Sequence, residues 1–309
     1  MREAKSTGVS LALGGGGARG FAHVGVLEVL EAHGVRIDSI VGVSAGAVAG
    51  AGYALGYSTA KMRQKVLEFS ESPLARHPRL QAMRSGGHNA EQGLADRVTR
   101  LFCQGMLVKA FFLDHSLVGT DFFREMVKFF LPPAKIEDAR IPFAAVATDI
   151  MTGEAVVLDH GDLRRAVLAS CAVPGVAEAV EMEGRYLIDG GSVCLVPSTI
   201  ARQRGAGLVL AVNVDREVHT EELPGQALEY YLRATEIQGY HLAQMLCEQA
   251  DLALQPALGD VHWADFAQAA WIMDQGRKAA EEAWSRLEAM LSPSMPWWRR
   301  VIRGQEAAS

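Results

Sequence analysis

Short apolar runs alternate with longer stretches of helical period along most of this chain. Strands are predicted at 9–13, 38–43, 143–148, 155–158, 186–188, 208–214 and 252–254. Helices are predicted at 18–33, 45–55, 59–69, from about 120 to 131, and at 162–170, 228–249 and 265–291. This alternation is typical of an α/β fold, in which a mostly parallel central sheet is covered by helices on both faces.

One segment, 74–116, departs from this rhythm because it has no clear period and mixes charges with several prolines and glycines. It is a candidate lid or insertion beside a site. We find no internal repeat and no domain linker, so we predict a single domain over 8–290 and a tail at 291–309. The tail carries Trp297 and Trp298 next to two arginines, which suits either the headgroup region of a bilayer or packing back onto the domain.

Composition supports a globular protein and argues against several function classes. Of 309 residues, 49% are hydrophobic and 21% charged, and the net charge of −6 gives no electrostatic reason to bind nucleic acid. The four cysteines form no C-x-x-C pair, so neither a disulfide framework nor a zinc site is expected. Together with an N-terminus that has no signal-peptide pattern, this favours a cytoplasmic protein, with peripheral contact at the inner membrane surface as a further possibility.

The uncharged stretch 40–57 is open to two interpretations. The stretch is 18 residues long and has glycines at small-x-x-x-small spacing: Gly42, Gly46 and Gly50. This length and this spacing also occur in paired membrane helices. Bulky apolar residues are few, however, and a buried strand, turn and helix explain the same pattern. We favour the second interpretation.

Ser44 stands where the second predicted strand meets its helix. It follows a β-branched run and lies between Gly42 and Gly46, the arrangement of a nucleophile elbow in which flanking side chains would collide with the neighbouring strand and helix. A plain strand-to-helix turn would give the same G-x-S-x-G pattern, so the motif alone does not decide between a catalytic and a structural serine.

A serine hydroxyl needs a base, and two sources are considered. Asp189 ends a short strand and is followed by Gly190 and Gly191, which would let the carboxylate approach another backbone closely and act in a two-residue dyad. A tight hairpin turn is the structural alternative for this Asp-Gly-Gly. The second source is a Ser-His-Asp triad with a late histidine: His219, His241 or His262.

A glycine-rich turn after the first strand supplies candidate anion-binding groups. The N–H groups of Gly15, Gly16 and Gly17 are predicted to form an oxyanion hole, with Arg19 either adding charge or fixing the loop. The same G-x-G-x-x-G also matches a dinucleotide-binding fingerprint. That fingerprint requires an acidic residue at the end of the second strand, whereas Asp38 precedes it and Ser44 occupies its end. No nucleotide cofactor is therefore expected.

The glycine loop, the Ser44 elbow and Asp189-Gly190-Gly191, together with 148–154, 169–175 and Pro197, resemble the patatin-like phospholipase family over about 9–287. The resemblance implies a three-layer α/β/α fold and a Ser44–Asp189 catalytic dyad. The implied reaction is hydrolysis of a lipid or fatty-acyl carboxylic ester, of phospholipase A or lysophospholipase type, through an acyl-enzyme and without metal or cofactor.

Three positions depart from the family pattern. Ala177 and Glu178 replace the usual aromatic residue and proline in a segment expected near the mouth of the site, and Cys194 stands where asparagine is common. The same residues are also compatible with two alternative functions. The protein could be a regulatory or scaffold protein that keeps the fold with little turnover, or a soluble esterase or thioesterase.

Overall fold

The computed structural model describes residues 8–84, 116–205, 207–218, 223–225 and 227–292. Its strands are β1 (Val9–Leu13), β2 (Ile37–Val43), β3 (Phe143–Asp149), β4 (Ala155–Leu158), β5 (Val180–Met182), β6 (Arg185–Asp189), β7 (Leu208–Val212) and β8 (Leu252–Leu254). Its helices are α1 (Ala22–Ala32), α2 (Ala45–Ala54), α3 (Thr59–Glu71), α4 (Pro78–Arg84), α5 (Thr120–Phe130), α6 (Leu163–Ser170), α7 (Ser198–Arg204), α8 (Ala227–Cys247) and α9 (Ala269–Leu291). A 3₁₀ turn, Gly17–Phe21, leads into α1.

The strands form one mixed sheet in the order β5-β6-β3-β2-β1-β7-β8, with β4 also paired to β3. All neighbouring strands in the part β3-β2-β1-β7-β8 are parallel. In contrast, β4 and β6 run antiparallel to β3, and β5 runs antiparallel to β6. The predicted α/β fold is therefore confirmed, with a parallel centre and an antiparallel end.

Helices cover both faces of the sheet because its central strands are apolar on both faces. Leu11 and Leu13 of β1 belong to a large apolar cluster that also includes residues of α1, α2, α3 and α9. Ala12, between them, belongs to a smaller cluster with Ala201 of α7 and Ala243 of α8. This alternation along β1 is the two-residue period of a strand.

Several elements differ from the sequence prediction. Strand β5, helix α4 and helix α7 were not predicted, since each is short and lacks a distinct period. Helix α5 begins at Thr120, and the residue before it, Gly119 with φ 96°, occupies the N-cap position. Residues 40–57 form the end of β2, a turn and α2, as favoured. Among the helices described, none has both the length and the apolar composition needed to cross a bilayer.

Candidate active site

Ser44 lies on a sharp turn between β2 and α2. Its backbone has φ 52° and ψ −119°, a left-handed conformation that is costly for a residue with a side chain. A Cβ on Gly42 would overlap the backbone at Gly46, and one on Gly46 would overlap the carbonyl of Leu13. Both flanking glycines are thus required by close chain approach, which is the steric condition of a nucleophile elbow.

A buried serine that the sequence did not reveal holds this turn in place. The N–H of Ser44 donates to Oγ of Ser170 at 2.8 Å, and the Ser170 hydroxyl donates to the carbonyl of Val146 at 2.6 Å. Ser170 ends α6 and has no exposed surface. It fell within the stretch that carries the family resemblance, but no pattern in that stretch indicated its contacts.

The register of β3 brings Asp189 next to Ser44. Val146 of β3 pairs with Val43 of β2, and the next residue, Ala147, pairs with Asp189 of β6. Val43 and Asp189 are therefore paired with adjacent residues of β3, from its two sides. This register places Ser44, at the end of β2, close to Asp189, at the end of β6, although the two are far apart in sequence.

Backbone contacts fix the position of the Asp189 side chain. The N–H of Gly191 donates to Oδ1 of Asp189 at 2.7 Å, and the N–H of Asp189 donates to the carbonyl of Ala172 at 2.8 Å. A Cβ on Gly190 would overlap the carbonyl of Val146. Asp189 accordingly ends β6 and caps a 3₁₀ turn, Gly190–Ser192, and does not lie at the tip of a free hairpin.

Burial sets the proton affinity of Asp189. Loss of water around the carboxyl raises its pKa to about 6, while hydrogen bonding by the Ser44 hydroxyl and by the Gly191 N–H offsets part of that rise. The thiol of Cys171 lies beside the same two groups. Burial and the Asp189 charge raise the pKa of that thiol, so it stays protonated. Near neutral pH the site contains one ionised carboxylate facing the serine hydroxyl.

The glycine loop presents fewer free N–H groups than the sequence predicted. The N–H of Gly15 donates to the carbonyl of Leu195 at 3.0 Å, so it is already used within the protein. No described residue accepts a hydrogen bond from the N–H of Gly16 or Gly17, and both glycines line the cavity in front of Ser44. The set of candidate oxyanion donors in the loop therefore narrows from three to two.

Two side chains hold this loop. Arg19 donates from Nε to the carbonyl of Gly16 at 3.3 Å and from a terminal nitrogen to Asp215 at 2.9 Å. His23 is fully buried and its Nε2 lies 2.8 Å from the carbonyl of Gly14, which makes Nε2 the protonated nitrogen. Burial lowers the pKa of His23 to about 4, so the ring is neutral. For Arg19 these contacts favour the loop-fixing role.

A cavity of about 460 Å³ begins at Ser44, Asp189 and the glycine loop. Its further walls are almost entirely apolar, contributed by α2, α3, α4 and α5 and by the segment 263–266. The principal side chains are those of Phe21, Val48, Ala49, Met62, Val66, Phe69, Leu80, Phe122, Phe123, Met126, Phe130, Leu131, Trp263 and Phe266. Such a site joins a small polar centre to an apolar binding volume.

Other candidate residues lie away from this cavity. His241 is exposed on α8, His262 is not among the cavity residues, and His219 lies outside the described residues. Glu178 does not border the cavity as expected, because its backbone and side chain contact Thr120 at the start of α5 instead. The buried thiol of Cys194 also lies outside the cavity lining. Most of the candidate lid and almost all of the tail, including Trp297 and Trp298, lie outside the described residues.

Comparison of the chain with known proteins identifies relatives that share its amino-acid sequence in part. The family model described as patatin-like phospholipase matches residues 11–201, more than half of the chain. An uncharacterised NTE family protein of Mycobacterium tuberculosis is 33% identical over 220 residues, which cover 70% of this chain and 51% of that protein. Patatin-like phospholipase domain-containing protein 6 of Homo sapiens is 32% identical over 215 residues, covering 69% of this chain and 14% of that protein.

The chain thus spans about half the length of the mycobacterial relative and a much smaller part of the human one. Among solved structures, VipD from Legionella pneumophila aligns with a TM-score of 0.42 and 14% identity, covering 90% of this chain and 67% of that chain. The match of the family model to residues 11–201 is what shows the family of this chain.

Proposed function

Because the chain belongs to the patatin-like phospholipase family, a family of carboxylic ester hydrolases, we propose that it hydrolyses acyl esters of lipids with Ser44 and Asp189. The observation that carries this proposal is the position of the two residues. A strained serine and a buried carboxylate face each other in the lining of an apolar cavity.

In the first half of the reaction Asp189 removes the hydroxyl proton of Ser44 as Oγ attacks the acyl carbonyl carbon. The carbonyl oxygen becomes an oxyanion that accepts hydrogen bonds from the N–H groups of Gly16 and Gly17, each worth about 3 kcal/mol in the transition state. The ester C–O bond then breaks, and the proton held by Asp189 passes to the leaving alkoxide. The product is an acyl-enzyme on Ser44.

The second half repeats these steps with water as the nucleophile. Asp189 removes a proton from water as its oxygen attacks the acyl carbonyl, and the same proton returns to Oγ of Ser44 when the acid leaves. A carboxyl with a pKa of about 6 suits both roles, since it is ionised at neutral pH and is a stronger base than an ordinary aspartate.

The wall composition of the cavity supports a lipid substrate over a small polar ester. Apolar side chains surround almost the whole volume beyond the catalytic groups, and burying methylene groups there gains about 0.8 kcal/mol each. Both phospholipids and lysophospholipids present an acyl ester next to such a chain. The proposal therefore covers phospholipase A and lysophospholipase activity, and the peripheral membrane contact that such substrates require.

A fluorophosphonate probe with peptide mapping tests the nucleophile, and fatty acid release from phosphatidylcholine and lysophosphatidylcholine tests the substrate. We expect labelling at Ser44, loss of labelling and of release in Ser44→Ala, and retention of both in Ser198→Ala, which carries the same change away from the cavity.

Each other outcome supports a different function. No labelling and no release from folded protein would contradict the proposal and favour a regulatory or scaffold role. Cleavage of short esters without fatty acid release would favour a soluble esterase or thioesterase. Activity that survives Asp189→Asn and is lost in His262→Ala would favour a Ser-His-Asp triad.

A further inference from the structure

Helix α2 presents one face of small residues to the cavity. Ala45, Val48, Ala49 and Gly52 are spaced by three, one and three residues, so they lie on one side of the helix. All four line the cavity that begins at Ser44, which is the residue directly before the helix. The cavity therefore extends along α2, from its N-terminus toward its C-terminal end.

Much of the remaining lining consists of large apolar side chains. Phe69 of α3, Leu80 of α4, and Phe122, Phe123 and Phe130 of α5 line the same volume. The small side chains of α2 leave room along the helix, whereas the other apolar lining residues are bulky. An apolar space that runs along a helix suits the alkyl chain of an acyl ester.

Of the α2 residues that line the cavity, Gly52 is the farthest from Ser44 along the helix. A Cβ built on Gly52 lies 3.5 Å from the Tyr57 ring and 3.8 Å from a Leu131 methyl, which is ordinary van der Waals contact. Both of these residues line the cavity. A single methyl at position 52 therefore fits, whereas a larger side chain would project into the space between α2 and these two residues.

We propose that the part of the cavity along this face of α2 is a channel for the acyl chain of the substrate, and that the residues at positions 49 and 52 determine how long a chain the channel accepts. This inference rests on the proposed function, since the channel starts at the Ser44 nucleophile. A helix rises about 1.5 Å per residue, so Ala49 lies about 6 Å and Gly52 about 10 Å from Ala45 along the axis. An extended alkyl chain advances about 1.3 Å per carbon, given C–C bonds of about 1.5 Å.

These lengths correspond to about five acyl carbons at Ala49 and about eight at Gly52. Leucine at either position would place its side chain across the channel at that depth. The chain-length limit should then move in two steps, three to four carbons apart, because position 49 is nearer to the nucleophile than position 52.

The test measures kcat/KM for p-nitrophenyl esters of four to sixteen carbons with the full chain, Ala49→Leu and Gly52→Leu. For Gly52→Leu we expect the ratio of long-chain to four-carbon activity to fall at least about tenfold beyond about eight carbons. For Ala49→Leu the same fall should begin beyond about five, the tenfold scale being that of one displaced methylene in an apolar pocket. Tyr53→Phe, on α2 but outside the cavity lining, serves as the control and should keep the original profile.

Equal profiles for both leucine variants and the unmodified protein would overturn the channel while leaving the proposed function intact. A uniform loss at every chain length would also overturn it. Failure of the proposed function is distinguishable, because the unmodified protein would then neither react with a fluorophosphonate nor hydrolyse an ester of any length. If a leucine variant does not fold, Ala49→Val and Gly52→Val make the same comparison with smaller steps, and unchanged profiles in both would again refute the channel.

Discussion

Replacement of Ser170 with alanine removes the hydroxyl that connects the Ser44 turn to β3. The change deletes one acceptor, for the Ser44 N–H at 2.8 Å, and one donor, to the Val146 carbonyl at 2.6 Å. Since Ser170 has no exposed surface, water does not readily replace either contact. The Ser44 N–H and the Val146 carbonyl would be left buried without their partner.

The expected loss follows from these two contacts. A buried polar group without a partner costs about 1–3 kcal/mol, so for two such groups the free energy of unfolding should fall by about 2–6 kcal/mol. The same change frees the backbone that holds Ser44 at φ 52°. Because a nucleophile displaced by about 1 Å can lose about a hundredfold in rate, we expect kcat to fall by about ten- to a hundredfold.

KM should change little, because Ser170 does not line the cavity. The assay combines urea unfolding with kcat and KM for p-nitrophenyl butanoate. Ser198→Ala is the matched control: Ser198 is equally buried, but its hydroxyl has no hydrogen-bond partner among the described residues. Its removal should leave stability unchanged or slightly increased.

Equal urea midpoints and equal kcat values for Ser170→Ala and Ser198→Ala would contradict this positioning role of Ser170. A rise in KM with kcat unchanged would also contradict it, since that result would place Ser170 in substrate binding. Only a combined loss of stability and kcat fits a residue that positions the nucleophile.

Two further predictions concern the glycine loop and Asp189. Gly17→Ala should reduce kcat/KM at least about a hundredfold, which is the effect of one lost oxyanion donor. The cause is that a Cβ at position 17, where φ is 59°, overlaps the carbonyl of Trp263. Gly34→Ala is the control: Gly34 has a similar φ of 63° but lies in open space, so this variant should keep the activity. Asp189→Asn should stabilise the protein at pH 8 by up to about 3 kcal/mol and should not stabilise it at pH 3. Burial raises the pKa of Asp189 in the folded state to about 6, so the cost of ionising the buried carboxyl appears only as the pH rises from the pKa of the unfolded chain to that of the folded protein. Equal unfolding curves for the two proteins at pH 8 would refute this prediction.

The sequence predicted those features in which a close approach of the backbone requires a particular residue type. The glycines around Ser44 and the Asp-Gly-Gly turn are required by chain approaches that exclude a Cβ, so their pattern is visible in the sequence. The apolar periods likewise predicted the α/β fold. The glycines mark these approaches by residue type, although the approaching groups, the carbonyl of Leu13 for Gly46 and that of Val146 for Gly190, are distant in sequence.

Features that depend on distant pairing were not predictable in the same way. The antiparallel pairing of β6 with β3, which aligns Asp189 beside Ser44, is set by long-range register. The role of Ser170 depends on contacts 126 and 24 residues away. The use of the Gly15 N–H by Leu195 is equally remote in sequence, and it reduced the predicted oxyanion donors to Gly16 and Gly17.

The pH dependence of kcat/KM for p-nitrophenyl butanoate, compared between the unmodified protein and Asp189→Asn, tests the central claim most directly. With Asp189 as the base, kcat/KM rises with pH and levels off above a midpoint near 6, the raised pKa of its carboxyl. Asp189→Asn should lose this transition and about a hundredfold or more of the rate. An Asp189→Asn protein that keeps the full rate, or the same midpoint, would contradict the claim and show that another group activates Ser44.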